Sequence, residues 1–407
     1  MIPFSPPRID QKIIDEVTDT LKSGWITTGP KTKRFEKALT AYCGNKATLC
    51  LNSATAGLEI MLRWFGVKEG DEVIVPAYTY CATANVVIHC GAKPVFVDIG
   101  DDFNISVSEI KKAITPNTKV IMPVDIAGLP CDMDSINALV NEPEIKKMFQ
   151  PQTEVQKLMG RILVLSDAAH SVGGAYHHKK VGSLTDVSVL SFHAVKNLTT
   201  AEGGAICLNL PEPFDNDRVY QDLCIKTLHG QNKDALAKLQ PGNWRYDIVE
   251  AGYKMNMTDI MASIGLVELE RYETETLPRR KHIFSMYDQL LAPFNRVILP
   301  LYQSDDRCSS FHLYPLRIKG INEQQRDAII AEIFKQQVSV NVHFIPVPMM
   351  SFYKQLGYNI NNYPNTYRMY ASEISLPVFY DLNDELIKQV AGAVVSAISK
   401  VLGTANE

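Results

Sequence analysis

Between about residue 46 and residue 210 the chain alternates short, β-rich apolar runs with segments of helical period, and this pattern limits the fold more than any other feature. The runs fall at 47–51, 72–75, 94–97, 119–123, 162–165, 187–191 and 205–208. Between them, stretches such as 56–65 and 106–114 place apolar residues at helical spacing. Strand–helix alternation of this kind predicts a mostly parallel sheet covered by helices. Sheets of that class bind ligands at the carboxyl ends of their strands, so polar residues at those ends carry the most functional weight.

The flanking regions differ in texture. Ile13, Ile14, Val17 and Leu21 form a helical stripe that stops at Ser23-Gly24, a helical arm ahead of the sheet. Beyond the sheet, 257–272 and 277–291 read as helices. The remainder reads as a strand at 311–318, a helix at 323–336, a strand at 338–344 and a last helix at 384–401. The expected division is therefore a large domain over 1–272 and a smaller C-terminal α+β domain over 273–407. Residues 141–160 are polar, broken by Pro151, and read as a surface excursion.

Four clusters sit where strands end. In SFHAVKNLTTAEGGAI (191–206) a strand runs into Ser191, and Lys196 follows among Ala194, Val195, Asn197 and Leu198. Burial among such neighbours would disfavour the charged amine and lower its pKa, as Schiff-base chemistry requires. Read alone, the segment fits a surface lysine in a loop equally well. In RILVLSDAAHS (161–171) Asp167 closes an apolar strand, placed either to pair with a protonated ring nitrogen or to cap a helix, with His170 three residues on. LNSATAGLEI (51–60) sets Ser53, Ala54 and Thr55 at a helix start, which suits a phosphate and suits simple capping as well. EVIVPAYTYCATANV (72–86) offers Tyr78 and Tyr80, one of which could stack on a planar group, although core packing is the commoner role.

Other classes lack support. Forty-one basic and 45 acidic residues give a net charge of −4, with no broad electrostatic footprint for nucleic acid or an anionic membrane. A phosphate-bearing ligand must then be held by local groups. The eight cysteines are scattered without a C-x-x-C pair, so neither a metal site nor a disulfide frame is expected. No apolar run reaches the ~18 residues of a membrane span, and the amino terminus lacks a signal pattern, so a cytoplasmic location is expected. GWITTGPKT (24–32) nearly spells a phosphate-binding loop, but Pro30 displaces the lysine and removes a backbone donor, and a helix precedes it.

Taken in order, these clusters resemble the DegT family of sugar aminotransferases, which use pyridoxal phosphate (PLP) on the fold-type I α/β architecture. The likeness runs from LKSGWITTGPKTKRFEKAL (21–39) through NSATAGL, PAYTYCATAN, GAKPVFVDI, SDAAHS, SFHAVKNLTTAEGGA and GYKMNMTDIMASIGLVEL to SLPVFYDL (375–382). It implies that Lys196 is the Schiff-base and proton-transfer lysine, that Asp167 faces the pyridine nitrogen, and that His170 faces the ring 3-oxygen. It also implies that Tyr80 stacks on the ring and that Ala54, Thr55 and Ser191 contact the phosphate. Many members read GYNYR where this chain has GYKMN, so either Lys254 or Asn256 is the group expected to reach the phosphate of a partner subunit.

A homodimer with shared sites follows from the same resemblance. Trp25, His193 and His343 are expected on the substrate side. The implied reaction takes an amino group from L-glutamate, by way of PLP and its amino form PMP, to the keto carbon of a UDP-linked sugar. That carbon is expected to be C4 of a UDP-4-keto-6-deoxy-HexNAc destined for bacterial surface polysaccharide. A UDP-4-keto pentose is the alternative substrate, and a PLP-binding regulatory protein without turnover is the alternative class. Sugar dehydratases of this fold carry histidine in place of the lysine. Aminotransferases of small amino acids ordinarily need an arginine for the α-carboxylate, and no motif assigns that task to Arg279, Arg280 or Arg368.

Overall fold

Each apolar run of the alternating region forms a strand of one seven-stranded sheet. In the computed structural model, which describes residues 1–233 and 245–403, the order across the sheet is Ala47–Leu51, Gly204–Leu208, Val187–Ser191, Leu163–Asp167, Thr118–Ile121, Glu72–Pro76, Lys93–Val97. Gly204–Leu208 pairs antiparallel with both neighbours, while the other pairings are parallel. The mostly parallel α/β sheet expected from the sequence is therefore present. Helices Ala54–Phe65 and Cys81–His89 follow the first and second strands of the chain, so their amino ends lie at the carboxyl edge of the sheet. The strands Ala47–Leu51, Leu163–Asp167, Val187–Ser191 and Gly204–Leu208 are buried along their whole length, as strands of a sheet covered on both faces must be.

A second apolar core lies around the three-stranded sheet Val297–Ile298, Tyr314–Ile318 and Glu373–Leu376. Helices Leu277–Leu291, Glu323–Lys335 and Asp384–Leu402 supply Ile283, Phe284, Ile329, Ile333, Val390 and Val394 to it. Ile2 joins this core too: its N–H donates to the Gln337 carbonyl at 2.7 Å. Among the described residues no helix is long and apolar enough to cross a membrane.

Three expectations change. The strand expected at 338–344 does not form. Val338 bridges Ile2, Asn341 bridges Ser375, and residues 341–344 line a cavity instead of continuing a strand. The strand expected at 311–318 begins only at Tyr314. Its first residues spend their backbone groups elsewhere, because the buried Arg280 takes the Phe311 and His312 carbonyls at 2.8 and 2.6 Å, and Phe311 sits at φ +57°. Residues 141–160 are more than an excursion. They form helices Pro143–Met148 and Glu154–Met159, bury Ile145, Phe149 and Met159, and place Gln156 where its amide donates to the Phe65 carbonyl at 2.9 Å.

The near-phosphate loop is accounted for by a buried carboxylate. Asp259, 1% exposed, accepts from the amides of Gly29 (2.8 Å), Lys31 (3.0 Å) and Thr32 (2.9 Å) and from the Thr32 hydroxyl (2.7 Å). It thereby satisfies the orphan donors at the start of helix Pro30–Cys43 and ties that helix to Asp259–Glu270. Asp259→Ala leaves those donors buried and unpaired. It should lower unfolding free energy by about 3 kcal/mol, read as a lower denaturation midpoint at unchanged slope. A loss under about 1 kcal/mol would contradict this role.

Candidate active site

At the carboxyl edge of the large sheet lies a cavity of about 510 Å³, within the range of small-molecule sites. Its lining includes Lys196, Asp167, His170, Tyr80, Ala54, Thr55, Ser191, His193 and His343, so nine of the residues singled out from sequence meet in one place. Eight arrive from four different strand ends and His343 from the 341–344 segment, which is why they are scattered along the chain but adjacent in space.

Lys196 sits in a loop closed on itself. Its own N–H donates to the His193 carbonyl (2.9 Å), and Thr200 N–H donates to the Phe192 carbonyl (2.8 Å). Phe192 and Leu198, both fully buried, anchor the two limbs. The adjacent Asn197 pins the loop to the C-terminal half: its amide nitrogen donates to the Ser310 carbonyl at 2.8 Å, and its oxygen lies 2.8 Å from His312 Nδ1. Lys196 keeps some solvent contact through the cavity, yet burial pulls its amine down to about 8, with the Asp167 charge opposing that fall. An amine of that pKa is a competent nucleophile near neutral pH.

Asp167 is 5% exposed at the end of its strand. Burial raises its carboxyl, while the Thr83 hydroxyl (2.8 Å), the Ala169 N–H (3.3 Å) and the charge of Lys196 favour the ionised form. His170 is buried, and its Nδ1 has no hydrogen-bond partner among the described residues. Burial first, then Lys196 and His343, hold its pKa well below the usual range, so it stays neutral. Tyr78 is entirely buried, whereas Tyr80 is 58% exposed, lines the cavity and lies 5.6 Å from the Phe344 ring. Of the two tyrosines, only Tyr80 is placed to cover a ligand.

At the start of helix Ala54–Phe65 the Ser53 hydroxyl caps the Ala56 N–H at 3.1 Å, so capping is part of its task. Gly204 packs against this turn so closely that a Cβ would stand 2.4 Å from the Ala54 nitrogen. Only glycine lets the strand support the cup there.

The donor set suits PLP. A buried carboxylate can balance a ring N–H, an orphaned imidazole nitrogen can meet a ring oxygen, a helix start with hydroxyls can hold a phosphate, and a partly neutral amine lies among them.

Three residues lie outside this cavity. The Trp25 indole N–H donates to the Thr28 carbonyl at 3.0 Å, Lys254 is exposed, and the Asn256 amide donates to the Thr28 hydroxyl at 2.6 Å. Asn256 instead borders a second cavity with Thr28, Glu36 and Tyr220.

Sequence reasoning missed Thr83, His312, Phe344 and Phe4. His312, 4.5 Å from His170 ring to ring, was signalled only by a polar residue inside an apolar run. Phe4 lines the cavity from an amino-terminal segment that has no periodicity.

This arrangement has relatives. A putative sugar aminotransferase from Streptococcus pneumoniae, Spr1654, in its PMP form is 46% identical with a TM-score of 0.95, over 98% of this chain and 100% of that one. The Bacillus subtilis spore coat polysaccharide biosynthesis protein SpsC is 36% identical over 398 residues, 97% of this chain and 96% of SpsC. Helicobacter pylori PseC, an aminotransferase involved in the biosynthesis of pseudoaminic acid, is 27% identical with a TM-score of 0.85, over 98% and 99% of the two chains. The DegT/DnrJ/EryC1/StrS aminotransferase family matches residues 7–149 and 153–395. The chain belongs to that family and is a PLP-dependent aminotransferase of fold type I.

Only the neutral amine of Lys196 can attack an aldehyde, so capture of PLP by cofactor-free protein should speed up as pH rises and level off above about 8. In Asp167→Asn the charge that raises the lysine is gone, and the inflection should move to lower pH. Stopped-flow rates across pH 6 to 10, roughly centred on that value, test this; an inflection at the ordinary lysine pKa would contradict it.

Proposed function

We propose that the protein moves an amino group from L-glutamate to C4 of a UDP-linked 4-keto-6-deoxy-HexNAc, in the synthesis of a bacterial surface polysaccharide. The reading rests above all on the cavity lining. One lysine stands among histidines, serines, threonines and an asparagine, and no arginine is present among the described lining residues. Such a wall suits the hydroxyls of a sugar. It is a poor receptor for the α-carboxylate of an amino acid acceptor, which favours a bidentate arginine. The three candidate arginines are engaged elsewhere: Arg279 with Asp384, Arg280 with backbone carbonyls, and Arg368 with Asn365 and Asp101. The names of Spr1654, SpsC and PseC point the same way.

When bound, PLP supplies an electron sink that accepts the charge left on carbon as a proton departs. The chain's own groups do the rest. Ala54, Thr55 and Ser191 with the helix start hold the phosphate, and Tyr80 covers one face of the ring. Asp167 keeps the ring nitrogen protonated, and His170 meets the ring oxygen. Lys196 tethers the cofactor through its Nζ at rest. Once displaced by glutamate it takes the α-proton on that same Nζ, and in the second half it returns a proton to the sugar carbon.

We assign part of the contact to the cofactor phosphate to Lys254 or Asn256 of a second copy of the chain. Lys254 is exposed beside Asn256, away from its own cavity, and a homodimer would bring these groups to the neighbouring site. The test is incubation with PLP, L-[15N]glutamate and a panel of UDP-4-keto sugars, followed by mass spectrometry of the sugar. The expected product is a 15N-labelled 4-amino-6-deoxy sugar, reduced about a thousandfold or more in Lys196→Ala. Labelling of the pentose alone would reassign the substrate. No labelling of any sugar, with PLP bound, would favour a regulatory protein.

A further inference from the structure

The strand Glu373–Leu376 is wholly buried but apolar on only one face. Ile374 and Leu376 enter the second core, while Glu373 and Ser375, two residues apart and both 0% exposed, point the other way. Two polar side chains on a buried strand need partners, and both find His343. Asn341 and Ser375 exchange backbone hydrogen bonds (3.2 and 2.8 Å), which lays the 341–344 segment alongside the strand. Glu373 Oε2 accepts from the His343 backbone N–H at 3.1 Å, and Glu373 Oε1 accepts from the Ser375 hydroxyl. His343 Nδ1 lies 2.9 Å from Ser375 Oγ. The other ring nitrogen, Nε2, has no hydrogen bond among the described residues, and His343 lines the cavity with Phe4 stacked on its ring at 5.3 Å.

The direction of this chain follows from donor counting. While Glu373 is ionised, Ser375 gives its one hydroxyl proton to that carboxylate, so only a lone pair is left for His343. Burial and the nearby Lys196 push the His343 pKa down to about 3, so the ring is neutral and carries a single N–H. That proton must lie on Nδ1, leaving a lone pair on Nε2. Burial raises the Glu373 carboxyl to about 8 against the Ser375 and His343 donors. This arrangement therefore belongs to pH above about 8 and gives way below it, as the carboxyl takes a proton and donates to Ser375.

We propose that ionised Glu373 and Ser375 are positioning residues for the sugar: they lock His343 in its Nδ1–H form, so that Nε2 accepts a hydrogen bond from a hydroxyl of the bound keto sugar. The lock stands on the hydrogen-bond geometry of a neutral imidazole and a charged carboxylate; the sugar-facing part rests on the function proposed above. A lone pair at this place suits a hydroxyl and not a bare carbonyl oxygen, so His343 holds the ring beside the ketone while the reacting carbon is left to Lys196.

The isosteric change Glu373→Gln tests the lock. His343 N–H still needs an oxygen, so the new amide nitrogen faces Ser375 and donates to it. The Ser375 hydroxyl then turns to Nδ1, and the imidazole proton moves to Nε2. In 15N NMR of histidine-labelled holoenzyme with PLP at about pH 9, above the Glu373 carboxyl, wild type should show the His343 proton on Nδ1 and Glu373→Gln should show it on Nε2. An Nε2–H in wild type, or no change in the variant, overturns the lock. If Glu373→Gln fails to fold, Ser375→Ala serves: a mixture of both forms supports the lock, and a single retained Nδ1–H form overturns it.

The sugar-facing part is read with UDP-4-keto-6-deoxy-N-acetylglucosamine. Ser375→Ala should raise the KM for this sugar about tenfold more than it changes the KM for glutamate. Equal effects on both overturn it. A wild-type enzyme that accepts no such sugar, with the proton shift intact, overturns the sugar-facing part together with the proposed function and leaves the lock supported.

Discussion

A carboxylate and an amine held at neighbouring strand ends, inside one cavity, set the terms for everything around them. Asp167 is buried where an ionised group is costly, and Lys196 is hemmed in enough to drop to about 8. Neither state would persist without surrounding structure. Thr83 and the Ala169 N–H stabilise the carboxylate, and Asn197 ties the lysine loop to Ser310 and His312 from the far half of the chain. Bound PLP would meet both needs, giving Asp167 a cationic partner and Lys196 a covalent one.

The two apolar cores converge on this site from opposite sides. The large sheet supplies Asp167, Lys196, Tyr80 and the helix start at Ala54, all at strand ends. The smaller sheet, through Glu373, Ser375 and the 341–344 segment, supplies His343 and Phe344. The cavity wall is thus shared between the parallel sheet and the segment that lies beside the smaller one. Burial keeps three histidines of the cavity wall, His170, His312 and His343, neutral.

Much of this was legible in the sequence. Strands at 47–51 and 187–191 fall at their expected limits, because fully buried strands leave largely apolar runs. Asp167 at the end of one run and Lys196 just beyond another fitted a cap and a surface loop equally well, until the ordered likeness to a family assigned them chemistry. What stayed hidden depends on contacts distant in sequence. The 338–344 segment has the composition of a strand, but its partners, Ile2 and Ser375, lie far along the chain and pair with single residues only. Residues 141–160 looked like solvent-facing polar chain, yet Gln156 and Phe149 are buried against a helix end and a strand that no periodicity reveals. Ser375 was read only as the first residue of a family motif and Glu373 not at all, since nothing local shows that a histidine some thirty residues earlier completes their hydrogen bonds.

The central claim is that Lys196 is the residue that holds the cofactor, and borohydride trapping tests it most directly. Protein incubated with PLP is reduced, digested and mapped by mass spectrometry. The account predicts a phosphopyridoxyl group on the peptide containing Lys196, and no such adduct when glutamate is added before reduction. Labelling of another lysine, or of none, would contradict it.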